Sequence, residues 1–224
     1  MSLLRATFAI VGKDLRIELR SRETVSSMLL FALLAILIFG FALELDRTGR
    51  QDSAAGVLWV TVVFAGLLGL GRSLGREREQ GNLDGLLLAP VDRSALYFGK
   101  MIGNFIFIAV ITFVLVIPLS ILFDVSFFIS PLLGLVMLMG VLGYSAVGTL
   151  IASMATYTRG REVLLPVLLL PIALSILIPS VRATRDLLAG RAFADVSSFI
   201  NLLGIMTVIY ITLSYLLFDF VVEE

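Results

Sequence analysis

The sequence predicts an all-α integral membrane fold with six transmembrane helices, and three observations carry that prediction. Hydrophobic residues make up 59% of the 224, with a mean hydropathy of +1.05, whereas a soluble domain is about 45–50% apolar even with glycine counted. Charged residues are only 15% of the chain, and their clusters leave six uncharged windows: Thr24 to Leu43, Ser53 to Gly71, Met101 to Phe123, Val125 to Thr158, Val163 to Val181 and Val196 to Phe218. A helix rises ~1.5 Å per residue and the hydrocarbon layer is ~30 Å thick, so about 20 residues cross it. The third observation is the placing of Lys and Arg. Twelve of the 17 fall on the side that carries the termini and five on the other, which by the positive-inside rule sets both termini in the cytoplasm.

The same composition excludes several chemistries. Without cysteine there are no disulfides, zinc–thiolate sites or thiol nucleophiles. The absence of histidine removes the commonest acid–base group and the usual axial haem ligand. A net charge of zero gives no reason to expect nucleic acid as a partner. No window has an ionisable side chain near its middle, so a proton or ion relay has no candidate, which argues against a secondary transporter.

Residues 1–22 come first. Leu4, Phe8, Val11, Leu15 and Leu19 share one helical face, with Arg5, Lys13, Arg16 and Arg20 largely elsewhere. Such a helix lies in the cytoplasmic headgroup layer; the plainer alternative is a membrane-proximal extension whose bases only fix orientation. Asp14, Glu18 and Glu23 among those bases, followed by an apolar run long enough to span, do not read as a removable signal. The first two spans are placed at 24–43 and 53–71.

The connection Arg72 to Lys100 is the longest and has internal order. Arg76-Glu77-Arg78-Glu79-Gln80 is too charged for hydrocarbon and continues the second helix into the cytoplasm. Gly81 permits a sharp turn, Asn82 caps a short helix, Asp84 suits its first turn, and Leu83, Leu86 and Leu87 form a small apolar face. Pro90 ends that helix, and Asp92 or Ser94 caps the next. Leucines exposed on the water side need a cover. Two destinations are open on physical grounds, the bilayer interface with neighbouring loops, or the cleft of a soluble partner. Glu77, Glu79 and Asp84 either meet bases of such a partner or are simply solvated.

The remaining spans are placed at 101–123, 131–156, 163–181 and 196–218, with Pro131 opening the fourth after an outer turn. Gly134, Gly140, Gly143, Ser145 and Gly148 line the fourth with small residues, for close packing within the subunit before dimer contact. Pro166 and Pro171 in the fifth each remove a backbone bond, giving a point of flexing or a proline of the kind membrane helices carry routinely. Arg182, Arg185 and Arg191 on the outer side suit either the carboxylates of a bound molecule or lipid phosphates.

An acidic–basic helix end, a glycine, a leucine-bearing turn, a proline, then Arg93 and Gly99-Lys100 resembles the coupling loop of type-2 ABC transporter permeases. Within that superfamily, Gly56-Val-Leu-Trp59-Val60, Arg72, Gly81-Asn-Leu83, Leu86-Leu-Leu-Ala-Pro90 and Gly99-Lys100-Met101 resemble the first half of the CcmB family. Pro118-Leu119, Gly143, Gly148 and Arg159-Gly-Arg161-Glu162-Val-Leu-Leu-Pro166 with Pro171 resemble its second half. The likeness covers essentially the whole chain and implies one ABC-2 type transmembrane domain, 1–224, whose short coupling helix between spans two and three docks on an ATPase. It further implies a multi-pass homodimer in the bacterial cytoplasmic membrane, bound to a CcmA-like ATPase and to CcmC-like and CcmD-like membrane proteins. The family's role is to move haem, or to use ATP to release the haem chaperone CcmE, in cytochrome c maturation. ATP and Mg then belong to the ATPase, haem is cargo whose propionates Arg182, Arg185 and Arg191 would meet if they do not serve lipid phosphates, and no catalytic residue, metal or bound cofactor is expected in this chain. The Gly99-Lys100 pair has Ser94 where a Walker A motif needs glycine and Met101 where it needs Ser or Thr. Beside this stand an ABC-2 exporter of drugs, lipids or glycans, and a scaffold that transports nothing.

Overall fold

The computed structural model describes residues 3–43, 47–79, 92–127, 130–156, 158 and 160–222. Those residues form seven helices: α1 (Leu3–Ser21), α2 (Glu23–Ala42), α3 (Arg47–Glu79), α4 (Arg93–Phe123), α5 (Pro131–Thr156), α6 (Arg161–Leu188) and α7 (Phe193–Val222). All but α1 are long and apolar enough to cross a membrane.

The helices overrun the uncharged windows at several ends. α3 continues through the charged run to Glu79, and α4 begins eight residues before Met101. Charged side chains are solvated in the headgroup layer, so a charge ends the hydrocarbon segment without ending the helix. Local chemistry sets the true boundaries. The Asp92 carboxylate accepts from Ser94 N at 3.0 Å and caps α4. Ser130 does the same before Pro131, its Oγ accepting from Leu132 N at 3.2 Å. Asp124 closes α4 in a left-handed conformation, φ 51°.

α5 lies at the centre, packed against α3, α4, α6 and α7, while α2 rests on α3 and α4. Glycines permit the close crossings. A Cβ on Gly140 would collide with the Trp59 ring of α3, and one on Gly148 would stand 2.5 Å from Leu70 of the same helix. Gly143 would meet Thr207 of α7 at 2.9 Å. These three members of the small-residue line therefore serve packing within the subunit, whereas Gly134 meets nothing within 4 Å.

Several buried polar groups in the spans pair with one another or with backbone, as low dielectric favours, although the buried Thr61 and Ser120 hydroxyls have no hydrogen-bond partner among the described residues. Trp59 Nε1 donates to Thr184 Oγ1 at 2.9 Å, joining α3 to α6. Tyr144 Oη donates to the Val63 carbonyl at 2.8 Å, and Asn104 Nδ2 donates to Thr149 Oγ1 at 3.0 Å.

Candidate functional site

Gly81, Asn82, Leu83, Asp84, Leu86, Leu87 and Pro90 lie outside the described residues, and Glu77 and Glu79 belong to the last turns of α3. What the structure does describe is the frame that holds both ends of segment 80–91. On the α3 side, Arg72 Nη1 donates to Ser27 Oγ at 2.7 Å and to the Glu23 carbonyl at 3.3 Å, and stands 3.7 Å from the Glu23 carboxylate. That contact ties α3 to the start of α2.

The α4 side is held more firmly. Lys100 Nζ donates to Asp14 Oδ2 of α1 at 2.8 Å, with the two side chains only 2% and 11% exposed. Gly99 makes this approach possible, since a Cβ there would lie 2.7 Å from Ile10 of α1. On the same end of α4, the Tyr97 hydroxyl donates to the Ala146 carbonyl of α5 at 3.3 Å, its ring meets Phe218 of α7, and Phe98 stacks on Tyr215. A small apolar cluster of Ile10, Leu96, Tyr97, Met101, Leu150 and Phe218 fills the space between.

The elbow between α1 and α2 completes the frame. Arg22 adopts a left-handed conformation, φ 54°, and offers no side-chain cap to α2. The buried Glu18 carboxylate of α1 accepts from Val25 N at 2.8 Å instead, placing negative charge at the positive end of α2. Helices α1 to α4 thus form a polar lattice around the two ends of segment 80–91.

These contacts lie on either side of the connection whose sequence resembles an ABC-2 coupling loop, and comparison with known proteins gives the family. The family model described as CcmB protein matches residues 5–223. The chain belongs to the CcmB family. Among curated relatives, Heme exporter protein B of Bradyrhizobium diazoefficiens is 24% identical over 187 residues, 84% of each chain. Heme exporter protein B of Rhodobacter capsulatus is 28% identical over 185 residues, 82% of this chain and 84% of its own. The Pseudomonas aeruginosa protein of the same name is 24% identical over 182 residues, 81% of each.

As a member of the CcmB family with six apolar helices of spanning length, the chain is a multi-pass membrane protein. The end of the bundle that holds Asp52 and Asp124 bears Arg182, Arg185 and Arg191, each with a neighbour in the fold. Arg182 stands 5.8 Å from the centre of the Phe199 ring, Arg185 Nη2 is 3.1 Å from Asp52, and Arg191 Nη1 is 3.5 Å from Asp186. A cavity of about 240 Å³ opens there between Gln51, Asp52, Asp124, Ser126, Arg185 and Leu188. Arg185 lines it; Arg182 and Arg191 do not.

Pro166 and Pro171 lie inside α6 together with Pro179, and the helix runs unbroken from Arg161 to Leu188. Beside them the Ser175 and Tyr210 hydroxyls are 2.5 Å apart, linking α6 to α7. Sequence reasoning missed Asp14, Glu18 and Thr184. The first two carried a signal, because they are the sole acids in an otherwise basic helix and lie one turn apart. Thr184 carried none, because its bond to Trp59 crosses 125 residues.

Proposed function

We propose that this chain is the permease subunit of an ATP-driven complex that exports haem, or releases a haem chaperone, for c-type cytochrome maturation. The observation that carries the reading is the CcmB family match over residues 5–223, together with relatives named Heme exporter protein B. The chain is a membrane subunit, and ATP with Mg is held and hydrolysed by a separate CcmA-like ATPase. Haem is cargo. A second copy of this chain and CcmC-like and CcmD-like proteins complete the assembly in the bacterial cytoplasmic membrane.

The physical mechanism follows from the frame. In this reading the termini and segment 80–91 face the cytoplasm, and α1 lies in the headgroup layer. Gly81 turns the chain, Asn82 and Asp84 start a short helix, and Pro90 ends it. Leu83, Leu86 and Leu87 anchor in a cleft of the ATPase, since a desolvated apolar anchor is the usual energetic centre of an interface. Glu77 and Glu79 line the rim. Movement of that anchor is delivered to α3 and α4, whose ends are braced by Arg72 and Lys100. Pro166 and Pro171 give α6 its freedom to bend, and Arg185, released from Asp52, is the outer arginine best placed to meet a propionate at the cavity.

Deletion of the gene tests the cargo. Holo-cytochrome c is lost on deletion and returns with the wild-type chain, and haem raises ATP turnover of the reconstituted complex. Unchanged holo-cytochrome c with turnover stimulated by a drug, lipid or glycan overturns the haem assignment and leaves an ABC-2 permease for another cargo.

A further inference from the structure

At 100° per residue α1 divides into three sectors, each roughly a third of its circumference. One faces the protein, with Ala6, Ile10, Val11 and Glu18 buried and Asp14 engaged with Lys100. Beside it come Leu4, Leu15, Phe8 and Leu19, of which Leu4, Phe8 and Leu19 are 67%, 67% and 74% exposed. The last sector holds Arg5, Arg16 and Arg20, all exposed, with Lys13 at its margin reaching Asp14 Oδ1 at 3.4 Å. Both acids of the helix are turned to the protein, so the outward surface pairs an apolar row with cations alone.

We propose that the outward surface of α1 requires anionic phospholipid, and that the buried Asp14–Lys100 pair passes this requirement to the start of α4. The proposal rests on the interfacial reading of α1 and adds the ligand's chemistry and the destination of the signal. Charge complementarity selects an anionic over a zwitterionic headgroup layer. Continuity selects lipid over a soluble protein. α2 follows α1 after the single residue Arg22, and its Leu30, Leu34, Ile38 and Phe41 are exposed along a spanning helix, where the medium is hydrocarbon. With the first sector held sideways on α4, the leucine row turns towards that hydrocarbon and the arginines towards the headgroups. The relay is short. α1 rests on Gly99 and Gly103 of α4, where Asp14 grips Lys100, within the helix that directly follows segment 80–91.

The absence of cysteine allows a clean test on the full chain. Phe8→Cys labelled with a polarity-sensitive dye is reconstituted in phosphatidylcholine vesicles with and without phosphatidylglycerol, and amide exchange is followed at residues 96–104. We expect a blue-shifted dye and slowed exchange with phosphatidylglycerol only. Arg5→Gln, Arg16→Gln and Arg20→Gln each lower the apolar population of the dye by about fivefold, the factor for roughly one surface cation at an anionic membrane. Asp14→Asn keeps the dye response and loses the slowed exchange, which the exchanged pair Asp14→Lys with Lys100→Asp restores. Equal blue shifts in both vesicles overturn the anionic requirement while the interfacial reading stands. A water-exposed dye in both overturns the interfacial reading itself. A shift that appears only on adding the ATPase subunit assigns the surface to a protein, and slowed exchange surviving in Asp14→Asn removes the relay.

Discussion

Trp59 and Gly140 show how single residues hold this bundle together. The indole is almost wholly buried, its ring lies on the Gly140 backbone, and its N–H reaches Thr184, so one side chain joins α3 to both α5 and α6. A methyl group on Gly140 has no room, because Trp59 and Ser180 already occupy the space. Gly140→Ala is therefore expected to cost about 1–3 kcal/mol through overpacking, read as a lower unfolding temperature of the detergent-purified protein. Unchanged stability in that variant would mean that the helices stand further apart than described. At this scale the sequence was partly legible. The small-residue line was visible from composition along one helix, but its opposing partners come from distant segments that no periodicity connects. The Asp14–Lys100 pair was hidden in the same way, since its members are separated by 86 positions.

Helices were more legible than their contacts. Apolar runs and charge clusters place all six spans, and the spacing of Leu4, Phe8, Leu15 and Leu19 gives α1 before any coordinates. Val11 is the exception on that face. It is buried, because a row spaced 4, 3, 4 and 4 drifts around a 3.6-residue helix and one member crosses into the protein-facing sector. Helix ends were read unevenly: Asp92 was visible as a cap and Pro131 as a start, whereas the Ser130 hydroxyl and the Glu18 carboxylate, which serve the starts of α5 and α2, were not. Glu18 gives the prediction proper to this scale. Glu18→Ala removes the carboxylate that accepts from Val25 N at the start of α2 and is expected to cost about 1 kcal/mol. Glu18→Gln, which keeps an acceptor oxygen, should recover most of it. Thermal unfolding of the two variants side by side makes the comparison, and equal losses would remove the capping role.

For the whole molecule, topology joins charge to function. If twelve of the 17 Lys and Arg residues mark the cytoplasmic side, then Gln51, at the start of α3, faces outward and Arg93, at the start of α4, faces inward. In intact cells a membrane-impermeant thiol reagent should label Gln51→Cys and spare Arg93→Cys, and the reverse pattern would invert the protein. The membrane class and the family were readable from residue patterns, because each depends on local composition or short motifs. The bracing of α3 and α4 on either side of segment 80–91 by α1, α2, α5 and α7 was not, because it is assembled from elements far apart in the chain.

In the proposed function, segment 80–91 receives force from an ATPase and delivers it through α3 and α4. The most direct measurement is co-purification of the ATPase subunit with Leu86→Asp and Leu87→Asp chains that still insert in the membrane and keep the wild-type unfolding temperature. The ATPase is expected to be lost from both variants. Recovery of the ATPase at wild-type stoichiometry would contradict it.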